Sequence, residues 1–310
     1  MANKPQRLRR GDLVEVKSPD DILQTLDADG AVDHLPFMPE MVEFCGQRFR
    51  VAGRVEKTCF SGSMSTMLAF PSNDVVTLET PRCCGSAHGG CQKACTIFWR
   101  ETWLRSVDDG HQVVRVDEES RQRLRSRLKT STGPTTYFCQ ASELLKAARP
   151  LSRQERFVKC LSEVQDGNCS ALEMAGRVSA WLAWRFRRTV RGANSTSRAA
   201  SPDAERLNLV AGEPIEVKAI DEIRDTLNEA GRHRGLWFSP DMRRSCGART
   251  QVMARVERII VDGTGEMRQL KNTVSLEDSR CGCSQIAFGG CARNELNYWR
   301  EIWLRRPAGQ

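Results

Sequence analysis

Residues 96–105 read TIFWRETWLR and residues 296–305 read LNYWREIWLR. Two tryptophans, an Arg-Glu pair and a closing Leu-Arg recur in the same order, so the surrounding chain must be tested for repetition. Residues 11–57 align without a gap on residues 212–258, pairing Gly11 with Gly212, Leu26 with Leu227, Pro39 with Pro240, Met41 with Met242, Cys45 with Cys246 and Arg54 with Arg255. After a small change of length the match resumes with Gly89 and Gly289, Cys91 and Cys291, Trp99 and Trp299, Glu101 and Glu301, Trp103 and Trp303. Self-similarity of this extent marks one module present twice.

Each copy carries the period of short strands. DLVEV (12–16) and EPIEV (213–217) alternate, as half-buried strands do. Ser18 is placed to cap a short helix that begins at Pro19, with Asp20 and Asp21 in its first turn and Gly30 beyond its end. RFRVAGRVEKT, QVMARVERIIV, DVVTLE and NTVSLE read as further strands, and VDGTGEM (261–267) as a hairpin turn. The expected fold is therefore mainly β with a helical insert (α+β), built from two tandem small β-barrel-like repeats similar in outline to Src-homology-type barrels. The repeats are expected at 8–110 and 208–307, the helical insert at 137–192 and a polar linker at 193–207. That linker makes independent modules an expectation.

In the insert, SRQE (152–155) and SALE (170–173) are capping boxes, and Leu172, Ala175, Val178, Leu182 and Phe186 fall on one face of the second helix. The chain carries a net charge of +8. RQRLRSRLKT (121–130) places Arg121, Arg125 and Lys129 on one helical side, and WRFRRTVR (184–191) adds to it; such a basic sector suits nucleic acid or anionic lipid, or is simply solvated. The N-terminus lacks the apolar run of an export signal, and SALEMAGRVSAWLAWRF is too short and too interrupted to span a bilayer. A cytoplasmic protein with no membrane span is expected.

Thirteen cysteines in a reducing compartment point to metal or redox use rather than to disulfides. In the first copy the candidates are Cys45, Cys59, Cys83, Cys91 and Cys95, with Cys84 and His88 in the same glycine-rich loop. Cys91, Cys95 and Cys83 can converge on a point that Cys59 completes. In the second copy Cys246, Cys283 and Cys291 answer Cys45, Cys83 and Cys91, whereas Ile260 and Glu295 stand where Cys59 and Cys95 would be. Two groupings remain open: Cys59 and Cys95 share a site that the second copy has lost, or the common trio is completed by Cys59 or Cys95 in one copy and by Cys281 in the other. Four thiolates suit tetrahedral zinc, or alternatively an iron-sulfur cluster. Cys139, Cys160 and Cys169, scattered through the insert, read as buried small hydrophobes.

The combination LPFMPEMVEFCG, RCCGSAHGGCQKAC and FWRETWLR, with its partner YWREIWLR, resembles a family of bacterial cysteine-rich proteins marked by a C-x7-C-x3-C loop ahead of a WRE-x-WL segment. The resemblance covers each repeat nearly whole. The family is uncharacterised, so it implies no activity.

No G-x-S-x-G elbow, P-loop or H-E-x-x-H motif is present, and four histidines give no readable triad. The tryptophans of WRE-x-WLR are expected in the core, with Arg100 and Glu101 pointing outward. The expected function is a zinc-binding cytoplasmic scaffold that holds a protein or peptide partner, with an iron-sulfur redox or accessory protein of a biosynthetic enzyme system and a nucleic-acid binder as alternatives.

Overall fold

The computed structural model describes residues 7–60, 63–107, 115–190, 206–281 and 290–307. All but the last two residues of the expected linker, and Cys283 with its loop, lie outside these.

The first copy supplies β1 (Leu13–Val16), α1 (Pro19–Leu23), β2 (Arg48–Arg54), β3 (Thr58–Phe60), β4 (Ser63–Ala69), β5 (Val75–Arg82), β6 (Thr96–Arg100) and β7 (Leu104–Ser106). Ser18 caps α1, its side chain accepting from the Asp21 amide. The main sheet runs β6-β5-β2-β1-β7, all neighbours antiparallel. Its two edge strands, β6 and β7, are consecutive in sequence, joined only by the 3-10 turn Glu101–Trp103. A flat sheet of this width would hold its edges about 19 Å apart, at ~4.8 Å per strand. Three 3-10 residues advance about 6 Å. The sheet must therefore curl into a half-barrel, and WRE-x-WL is the segment that closes it.

The closure explains the motif. Trp99 and Trp103 are wholly buried, with Phe37 set edge-on to both at 6.2 and 5.2 Å. Arg54 donates to the Leu8 carbonyl at 2.6 Å and to Glu101, which also accepts from the Leu8 amide at 2.9 Å. The expectation that Arg100 and Glu101 face outward is corrected: Arg100 is buried and bonds Ser72 and Asp74, and Glu101 turns in to pin the N-terminal segment against Arg54. Charges can be buried here because each meets a partner.

The second copy repeats this with β8 (Pro214–Val217), α6 (Ile220–Arg224), β9 (Arg249–Arg255), β10 (Arg258–Ile260), β11 (Met267–Gln269), β12 (Thr273–Arg280), β13 (Leu296–Arg300) and β14 (Leu304–Arg305), in the sheet order β13-β12-β9-β8-β14. Phe238 takes the place of Phe37 against Trp299 and Trp303, and Arg255, Glu301 and Leu209 repeat the lock.

Between the copies the chain forms α2 (Glu118–Arg127), α3 (Gln140–Ala147), α4 (Arg153–Gln165) and α5 (Ala171–Val190). α2 packs on α1, and Ala141, Leu144 and Ala147 of α3 enter the first core. Both capping boxes form, Ser152 with Glu155 and Ser170 with Glu173. The apolar stripe of α5, however, does not face a core. Met174 and Val178 pack with Cys160, Cys169 and Val164, while Leu172, Leu182 and Phe186 are 84%, 53% and 69% exposed. α4 offers only a narrow seam, so one edge of the apolar sector is used and the other is left out. Replacing Trp99 by alanine should cost about 3–5 kcal/mol of unfolding free energy in urea. Leu172→Ala should stay within about 0.5 kcal/mol, in contrast to what a core stripe would give.

Candidate functional site

The described chemistry gathers where the copies meet. The segment after the glycine-rich loop of each copy lies across the β3 or β10 strand of the other. The Gln92 amide donates to the Arg258 carbonyl at 2.9 Å, and its counterpart Ala292 donates to Lys57, the counterpart of Arg258, at 3.2 Å. The two contacts are the same contact seen from either copy, as in a twofold-related pair. Gln92 adds side-chain bonds from the Glu257 and Arg258 amides, and the Ile260 amide donates to Cys91 Sγ at 3.3 Å.

The seam has a buried charged centre. Asp262, on the turn after β10, takes Lys93 from the first copy and Arg293 from the second, and Glu295 stands 2.8 Å from Arg293 and 3.6 Å from Lys93. Asp262, Lys93 and Arg293 are each under 5% exposed. Burial works to raise the pKa of Asp262, but the two cations outweigh it and hold the carboxyl well below its ordinary range. Burial likewise opposes charge on Lys93, and Glu295 with Asp262 outweighs that, lifting its pKa. Sequence reading missed this cluster; the signal was there in Lys93 and Arg293, cations at equivalent positions beside cysteines that drew the attention instead.

The sequence-predicted thiols divide between the first core, the seam and the second copy. Cys45 is buried on the α2 side of the first core, its pKa pushed up to about 12 by burial despite Arg121 and Arg125. Cys91 belongs to the same core with Cys139, and Cys83 packs against its edge, also driven upward by burial. Cys95 sits by the charged seam, where burial raises it to about 12 although Lys93 opposes this. Cys246 lies near Arg243 in the second copy, raised by burial. Cys45, Cys83 and Cys91 thus belong to or border one apolar core. What the structure does bring together is a set the sequence did not group: Cys59 of the first copy shares one apolar cluster with Met67, Ala69 and Leu151, against which Cys281 and Cys291 of the second copy pack. Among the described residues no three His, Cys, Asp or Glu side chains stand as a ready metal-ligand group, and no disulfide joins two described cysteines.

His88 is spoken for. Its Nε2–H donates to the Phe138 carbonyl at 2.9 Å and its Nδ1 lies 2.7 Å from Glu40, so the two ring nitrogens tie the loop to the segment before α3 and to the 3-10 turn Pro39–Phe44. The basic run is likewise neutralised. Arg121 and Arg125 bond Glu43, Arg123 bonds Asp20, and Lys129 bonds Asp29, all acids of the first copy. The buried tryptophans of WRE-x-WLR offer no stacking face. No helix of the described residues is long and apolar enough to cross a membrane.

Compared with family models, curated proteins and solved structures, the chain matches none.

Asp262→Asn leaves two buried cations with Glu295 as their one anion among the described residues of the seam, which should cost about 3–5 kcal/mol at pH 7 in a denaturant titration. Because the folded-state pKa of Asp262 is depressed, its stabilisation is full above the ordinary value of 3.8 and fades as pH falls further. The gap between wild type and variant should accordingly narrow below that pH, and a gap independent of pH would contradict the assignment.

Proposed function

We propose that this chain is a partner-binding scaffold: two fused copies of one curled module, read as tandem barrels, carrying a helical pair that docks an acidic amphipathic segment of another protein. One observation carries it. α4 and α5 turn Phe157, Val158, Leu161, Leu172, Leu182 and Phe186 to solvent, each more than half exposed. Apolar side chains concentrated in this way on two adjacent helices mark an interaction surface. The charge beside them selects the partner: the helix carries Arg177 and Arg185 against the single acid Glu173 of its first turn. Apolar anchors with a basic flank suit an acidic amphipathic helix laid along the groove.

The double variant Leu182→Asp/Phe186→Asp should keep the wild-type circular dichroism spectrum and melting temperature and lose a partner that chemical crosslinking captures on the wild type in its source cells. A captured protein with a predominantly basic contact segment, or undiminished capture by the variant, would sink the reading. If the wild type instead self-associates in light scattering and the variant does not, the occupant is a second copy.

A second reading, zinc held between the copies, draws support from the packing of Cys59, Cys281 and Cys291 on one cluster. Arg293 and Arg82 lie within electrostatic reach of Cys59 and Cys281. A fourth thiolate for a tetrahedral site would come from outside the described trio. Elemental analysis of fresh protein should then find a single zinc per chain that is lost in Cys59→Ser or Cys281→Ser and kept in Cys45→Ser. Iron with visible absorption would give the cluster alternative, and metal-free protein would end both.

A further inference from the structure

The duplication offers a comparison inside one chain: a groove that is filled in the first copy stands open in the second. In the first copy the groove lies between the short strand Leu35–Pro36, the turn carrying Met41, and the outer edge of β6. Its occupant is the first residue of α3. The Gln140 carboxamide accepts from the Phe98 amide at 2.9 Å and donates to the Phe98 carbonyl at 2.8 Å, to the Pro36 carbonyl at 3.0 Å and towards Met41 Sδ at 3.7 Å. It thereby satisfies the edge of β6 as a neighbouring strand would. Ala141 and Leu144 follow it into the core.

The equivalents of Pro36, Met41 and Phe98 are Trp237, Met242 and Tyr298. In the second copy no helix of the described residues occupies the matching place. With Leu236, Asp241 and Asn297 these three residues instead line one side of a cavity of about 510 Å³ that runs on to Lys93, Asp262 and Glu295 of the seam. Tyr298 pairs with Ser275 in the register that Phe98 keeps with Thr77, so its amide and carbonyl face the same outer edge. Among the described residues no side chain answers them. Arg232 and Arg268, both exposed, stand at the rim.

We infer that this groove of the second copy is a docking site for the N-terminus of a helix on a partner protein. The segment has glutamine at its first helical position, an apolar residue one and four places on, and an acid among them to meet the two rim arginines. The occupant is identified by what fills the matching groove, where the order is Gln140, Ala141, Ser142, Glu143, Leu144. A primary amide is required because, among side chains ionised as they are at neutral pH, it presents a donor and an acceptor side by side to a strand edge. The site is separate from the α4–α5 face, and the failure of either leaves the other standing.

The probe is a synthetic peptide of residues 136–148 with its cysteine replaced by serine, titrated calorimetrically into the full chain. Hydrogen exchange by mass spectrometry follows the fragments holding Phe98 and Tyr298. In the free protein the Tyr298 amide should exchange faster than that of Phe98. Saturable binding should slow Tyr298 selectively, and a peptide with alanine or glutamate in place of its glutamine should bind at least tenfold more weakly. No saturable binding at about 1 mM peptide, binding that leaves Tyr298 exchange unchanged, or equal affinity for the alanine peptide would overturn the proposal. Altering the peptide rather than the protein keeps the outcome independent of folding defects.

Discussion

A three-residue turn between two tryptophans governs the architecture of both copies. Because Glu101–Trp103 joins strands at opposite edges of one sheet, the sheet has no choice but to curl, and curling brings Trp99 and Trp103 into the centre with Phe37. The curl in turn carries Glu101 to the entry of the chain, where the Leu8 amide and Arg54 need an anion. Buried arginines would oppose folding in an apolar core. Here they sit on the shell around the tryptophans, each on an acid or a carbonyl, so the polar ring fixes which edge meets which while the aromatic centre supplies the driving force.

The same logic, applied between copies, makes duplication more than tandem placement. Gln92 on Arg258 and Ala292 on Lys57 show that the interface is self-complementary, the geometry of a twofold homodimer caught within a single chain. Once the halves are covalently joined, each side is free to diverge. Lys93 and Arg293 keep the charge, but Asp262 serves both cations from one side, and Cys95 faces Glu295 across positions that were once alike. In the first copy α3 plugs the groove. The second has a tryptophan and two arginines around an open one.

Much of this was legible from residues and much was not, for identifiable reasons. The repeat, the strands of each copy, the Ser18 cap, the capping boxes at Ser152 and Ser170 and the core placement of the tryptophans follow from local pattern, and the structure has them. Arg100 and Glu101 were misjudged because burial of a charge depends on a partner distant in sequence, here Asp74 and Arg54. The α5 stripe was real as a pattern, yet periodicity says only that a face is apolar. It does not say what covers it. The thiols illustrate the same limit: cysteines aligned between copies invite grouping within a copy, whereas Cys59 meets Cys281 and Cys291 across a seam no alignment reveals.

That crossing changes what the cysteines can be asked to do. Where burial decides the matter, at Cys45, Cys83, Cys95 and Cys139, it pushes the thiols toward the neutral form, which packs well and reacts poorly. Any ion taken up inside one copy would have to overcome that desolvation at several sulfurs at once. Cys59 and Cys281, contributed by different copies, lie at the seam near Arg293 and Arg82. An ion taken up there would join the copies to each other rather than staple one of them, so the chemistry of sulfur in this chain bears on how the two halves are held in register.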